Sequence, residues 1–126
     1  MLVGWNNPLT SDPAMALEPH TPNGAGERLW RMVNDECTIS RDEYSRSIDF
    51  RNVLGHSDLL EEMKGRTVVV LGTAAWQALG LKRQEMYTSL GNWHLVPHPS
   101  GRNLMYNVKL NKIRTGRLIA RLAGFL

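Results

Sequence analysis

The 126-residue chain predicts an α/β domain built on a short, mostly parallel sheet. Three observations carry that prediction. Strand-like runs alternate with helical segments from one end to the other, the pattern of parallel strands joined by crossovers. Residues 67–71, Thr-Val-Val-Val-Leu, form an almost pure β-branched run, as expected of a central strand covered on both faces. Asn7, Asn52, Gly72 and His98 each fall just after a strand-like run, and in a parallel sheet such positions share the edge where ligands bind.

The elements follow in order. Residues 1–4 are a short apolar strand that meets Trp5-Asn6-Asn7-Pro8, where Pro8 holds Asn7 extended. Residues 8–26 are rich in Pro, Gly, Asn and Thr without periodicity, a long loop of the kind that lines pockets. Leu29, Trp30 and Val33 fall at helical spacing after Gly24-Ala25-Gly26, predicting a first helix to about Asp35. Ser40-Arg41-Asp42-Glu43 starts a short capped helix, and residues 48–54 read as a brief strand with Asn52 near its end. A short helix over 58–64 precedes the central strand. Gly72 and Thr73 then turn the chain into a helix over 74–79 that Gly80 ends. A strand around 94–96 leads into the turn at His98, and one final helix is expected over 102–123.

Composition sets the frame. With 42% hydrophobic residues the chain can form one core, so a single domain spanning 1–126 is expected. A net charge of +3 and a pI of about 9.4 suit a polyanionic partner without demanding one. Cys37 is the only cysteine, which excludes an intrachain disulfide and a four-cysteine metal or cluster site and fits a reducing cytoplasm. No apolar run reaches the roughly 18 residues of a membrane span, and no signal peptide opens the chain, so a soluble cytoplasmic protein is expected.

The most informative stretch is Trp93-His94-Leu95-Val96-Pro97-His98-Pro99-Ser100-Gly101. Pro97 and Pro99 restrict the backbone on both sides of His98, and Gly101 permits close approach of a ligand. A histidine aimed this way can stabilise a leaving group.

This His-Pro-Ser-Gly turn resembles the base-expulsion loop of the uracil-DNA glycosylase superfamily. Gly4-Trp5-Asn6-Asn7-Pro8 is similar to that superfamily's first motif. Leu71-Gly72-Thr73-Ala74-Ala75-Trp76-Gln77-Ala78-Leu79 and Gly24-Ala25-Gly26-Glu27-Arg28-Leu29 resemble segments of its bacterial and archaeal iron-sulfur branch. The chain departs from that branch in lacking its four cysteine ligands, which excludes the cluster, and in a shorter segment between Asn52 and Thr67.

The resemblance implies a three-layer α/β/α, uracil-DNA glycosylase-like fold. It implies a monofunctional DNA N-glycosylase that removes uracil, or a related damaged or modified pyrimidine, from DNA. By the same resemblance Asn7 holds the attacking water, with Asn6 as its neighbouring alternative, and His98 stabilises the departing base. Asn52 reads the base edge, its amide complementing uracil N3–H and O4. His20 falls where relatives stack an aromatic ring on the base. Ser100, Gly101, Arg102 and Asn103, with Gly24 and Gly26, are the candidate DNA contacts, Arg102 standing where relatives fill the gap left by the extruded base. No metal and no organic cofactor is expected, and the protein is expected to act as a monomer on DNA.

Plainer roles compete for the same residues. His98 can cap the last helix, Asn7 and Asn52 are common turn residues, and His20 can be an ordinary loop residue. Gly24-Ala25-Gly26 lacks the third glycine of a dinucleotide fingerprint. Lys109, Lys112, Arg114, Arg117 and Arg121 either track a phosphate backbone or form a solvated helix face. His94 and His98 have metal-ligand spacing only on a helix, against which Pro97 argues, and Trp30, Trp76 and Trp93 read as core. Two further functions fit: a base-binding module of the same fold without useful hydrolysis, and an enzyme acting on free modified nucleosides or nucleotides.

Overall fold

The computed structural model describes residues 1–5, 17, 19–54 and 56–126. It is an α/β structure in which contacts define two compact units, Met1–Leu17 with Phe50–His98, and Glu18–Asp49 with Pro99–Leu126.

The first unit holds the sheet. Its strands are β1 (Leu2–Gly4), β2 (Phe50–Asn52), β3 (Val68–Leu71), β4 (Ser89–Leu90) and β5 (Trp93–Val96), in the order β2-β1-β3-β5-β4. All pairings are parallel except the antiparallel β4–β5 edge. Every residue of β3 is buried, which accounts for its uninterrupted apolar run. Val68 and Val70 join Val3, Leu59, Met63, Trp76 and Leu95 in the core of this unit. Two helices supply the rest of that core. The first, α3 (Leu59–Met63), buries Leu59 and Met63, and the second, α4 (Thr73–Ala78), buries Ala75 and Trp76. Trp76 satisfies its indole N–H on the Lys82 carbonyl at 2.8 Å, so a fully buried ring leaves no donor unpaired. Trp93, half-buried, donates likewise to the Met63 carbonyl. Glu62 binds Arg51 at 2.7 Å and His56 at 2.9 Å, tying β2 to α3, and Arg51 chiefly holds its carboxyl below the usual range.

The second unit is helical: α1 (Ala25–Cys37), α2 (Arg41–Ser47), a 3₁₀ turn at Leu104–Asn107 and α5 (Lys109–Leu122). Leu29, Met32 and Val33 of α1 are buried, as are Thr115, Gly116, Ile119 and Ala120 of α5, and the two helices pack closely. Gly116 permits it, because a β-carbon there would fall inside contact distance of the Met32 carbonyl. Arg117 reaches Glu36 at 2.7 Å across the same packing. Ser40 caps α2 by accepting from the Glu43 amide, as its sequence predicts. Trp30 is only half-buried, its ring covered by the Arg41 guanidinium 4.3 Å from the centroid.

The final helix is shorter than the sequence predicts. Asn103 accepts from the Met105 amide and Asn111 donates to the Met105 carbonyl, closing a 3₁₀ turn instead of an α-helical one. Val108, with extended backbone angles, separates that turn from α5. Among the described residues no helix is long and apolar enough to cross a membrane.

Candidate active site

Because β1, β2, β3 and β5 run parallel, their carboxyl ends lie along one edge. Asn52 pairs in register with Gly4, and Leu71 with Val96, so Gly4, Asn52, Gly72 and His98 come to that edge together. From β1 the chain moves outward to β2 on one side, and from β3 to β5 on the other. The order therefore reverses between β1 and β3, the crevice in which open α/β sheets hold ligands.

Of the two strands flanking this crevice, β1 ends in Gly4 and β3 is followed by Gly72, and a side chain from the outer neighbour lies against each glycine. At Gly4 a β-carbon would stand 3.4 Å from the Asn52 Oδ1. At Gly72 it would stand 3.0 Å from the His98 Cβ, and Gly72 has a φ of +92° that only glycine adopts readily. Bare strand ends thus give Asn52 and His98 room over the inner pair. Gly72 is fixed by its amide, which donates to the Val96 carbonyl at 2.8 Å.

Asn52 Oδ1 is buried and has no hydrogen-bond partner among the described residues. A buried acceptor left unpaired costs about 1–3 kcal/mol, so it is an invitation to a donor. His98 is half-buried between the buried Pro97 and Pro99. Burial pushes its pKa below the ordinary histidine value, so the imidazole is neutral at pH 7 and can donate one hydrogen bond. His94 is also shifted down by burial and pairs with Ser89 Oγ at 2.7 Å on the β4–β5 edge. No cluster of three or more His, Cys, Asp or Glu side chains suited to a metal occurs among the described residues.

The other expected site residues are placed as follows. Asn7 and its neighbour Asn6 lie outside the described residues. His20 belongs to the second unit, where it is exposed and sits 3.4 Å from Asp42. In the same unit Gly24 precedes α1 with its amide bonded to the Thr21 carbonyl, and Gly26 is buried in the first turn. Ser100 Oγ accepts from the exposed Arg102 amide, and Asn103 caps the 3₁₀ turn. Gly101 lies beneath the Arg28 guanidinium, with which a β-carbon would collide at 2.7 Å.

Sequence reasoning missed Arg28, which lines a cavity of about 440 Å³ with Ser100, Gly101 and Lys112, the last already a candidate phosphate contact. The signal was available in Gly101, whose missing side chain needs a neighbour to explain it. It also missed Leu104, the most exposed large apolar side chain among the described residues at 76%. The chain matches no family model, no curated protein and no solved structure.

Proposed function

We propose that the protein is a DNA N-glycosylase that hydrolyses the glycosidic bond of uracil or a related pyrimidine extruded from DNA. The observation that carries this reading is the buried, unpartnered Asn52 carbonyl oxygen at the edge the sheet shares with a neutral, proline-bracketed His98. An acceptor of this kind suits the N3–H of uracil, while the amide NH2 suits O4. Cytosine, which bears no proton at N3, offers the opposite pattern. The β2 and β5 backbones stand three strand spacings apart, about 14 Å, and two inward-reaching side chains leave a span suited to one planar ring.

In the reaction, water adds to C1′ as the C1′–N1 bond breaks, and the electron pair departs with the base as an anion. His98 donates a hydrogen bond to the base oxygen on which that charge develops, a contact stronger in the transition state than in the ground state. Asn7 orients the water, whose proton is lost late, to solvent and finally to the departed base anion, because the oxocarbenium-like sugar is already electrophilic. By the resemblance Arg102 is the side chain that fills the vacated stack. The complete burial of β3 on both faces supports the finer reading of a three-layer α/β/α, uracil-DNA glycosylase-like fold.

An abasic-site assay on uracil-containing single-stranded and duplex oligonucleotides tests the reading. Cleavage at uracil that His98→Ala reduces by a factor of roughly 10²–10³, the usual consequence of removing one such donor, is the expected result. Tight binding without abasic product makes the protein a base-binding module. Release of base from free nucleosides alone makes it an enzyme of nucleotide metabolism.

A further inference from the structure

We propose that the cleft lined by α1, the 3₁₀ turn and α5 is a phosphodiester-binding groove that grips the nucleic-acid backbone, with Arg28 and Lys112 as its cationic ligands. The proposal deepens the glycosylase reading and rests on it for the identity of the polyanion. The cavity of about 440 Å³ lies wholly within the second unit and carries three cations, Arg28, Arg31 and Lys112, against one carboxylate, Asp35. Arg31 is engaged by Glu27 at 3.2 Å, and the same carboxylate binds Arg41 at 3.1 Å. Arg28 and Lys112 take part in no ion pair among the described residues, so their charge is available to a ligand.

Arg28 is placed with care. Its guanidinium lies against Gly101, where a β-carbon would stand 2.7 Å from Nη2 and 2.9 Å from Cζ. Any larger residue would push the guanidinium aside. A planar fork is suited to bidentate capture of a phosphate, and the bare main chain at Gly101 gives it the space to lie there. Ser100, beside it in the lining, follows His98 by two positions in the chain.

The ligand is extended. A second cavity of about 620 Å³ adjoins the first, shares Lys112 with it and adds Lys109. Its Glu36 is held by Arg117 at 2.7 Å and so offers little repulsion. A single phosphate occupies only a fraction of one such space, whereas a strand of nucleic acid presents phosphates to both.

The test is the salt dependence of binding of an undamaged fluorescent single-stranded oligonucleotide to the full chain. For Arg28→Ala and for Lys112→Ala the expected result is weaker binding and a slope of log K against log salt shallower by about 0.7, one phosphate contact on a single strand. Gly101→Ala, which leaves the charge untouched, weakens binding as Arg28→Ala does, and Asp35→Asn tightens it. Arg83→Ala removes a cation from the other unit and leaves the slope unchanged. Slopes for Arg28→Ala and Lys112→Ala equal to wild type overturn the proposal. Displacement of the oligonucleotide by inorganic phosphate at matched ionic strength, with affinity independent of oligonucleotide length, also overturns it in favour of a small-phosphate site. Uracil release is measured in parallel: the expected slopes without release leave the groove standing and refute the glycosylase, and release with unchanged slopes does the reverse.

Discussion

Replacing Gly72 with alanine tests the placement of His98 without touching its chemistry. Two penalties add at this position. The backbone at φ +92° and ψ 158° lies in a region essentially reserved for glycine, which costs about 1–3 kcal/mol for any other residue. The new methyl group would also meet the His98 Cβ at 3.0 Å, where ordinary contact begins near 3.4 Å, so the imidazole must shift by some tenths of an ångström. Overpacking of that kind adds about 1 kcal/mol, for a loss of about 2–4 kcal/mol and a melting temperature lower by about 6–16 °C. Gly80→Ala is the control, since Gly80 also has a positive φ, +84°, but open space around its missing β-carbon. It incurs the backbone penalty alone, roughly 1 kcal/mol. The assays are thermal unfolding and uracil release, with Gly72→Ala slowing release on the order of tenfold through the displaced imidazole. If Gly72→Ala melts with Gly80→Ala and releases base at the wild-type rate, the glycine does not govern His98 and the site geometry is wrong.

Acidification gives a second prediction. His98 has a folded-state pKa below its ordinary 6.5, so base release is full at neutral pH and declines only at a midpoint below that value. The unfolded chain takes up the proton first, so stability is complete above pH 6.5 and is lost as pH falls from there toward the depressed value. Comparing chemical denaturation of His98→Gln and His94→Gln across this window separates the two shifted histidines, and an unchanged slope in His98→Gln refutes its part. Gly116→Ala forces a methyl group against the Met32 carbonyl, and separation of α1 from α5 destabilises the fold by about 1–3 kcal/mol in urea titration, a neutral result refuting the close packing. Arg102→Ala slows release from duplex but not from single-stranded substrate, and equal slowing on both would deny Arg102 its place in the vacated stack.

The parts of the fold that were legible in the sequence are those whose local chemistry leaves one solution. Val68–Leu71 has no polar residue to face solvent and is the fully buried central strand. Ser40 and Glu43 announce a cap, and the cap forms. Four chain-distant segments end in Gly4, Asn52, Gly72 and His98, and a parallel sheet brings them to one edge by topology alone. β4 was not legible because two exposed residues carry no periodicity and owe their pairing to β5. The break before α5 depends on Asn103 and Asn111 bonding to the same residue, Met105, from two sides, and residue spacing does not encode that. Arg28 escaped notice because its meaning lies in Gly101, a residue 73 positions away that contributes nothing but clearance.

Among the described residues β1 precedes the other strands, yet it occupies an inner place in the ladder, with one neighbour at residues 50–52 and the other at residues 69–70. During synthesis it therefore waits, its amides and carbonyls solvated and Leu2 and Val3 uncovered, until both neighbours have been made. Loops of that size close slowly, and an unpaired apolar strand is a template for association in the meantime. Association through β1 is thus open until residues 69–70 are there to pair with it.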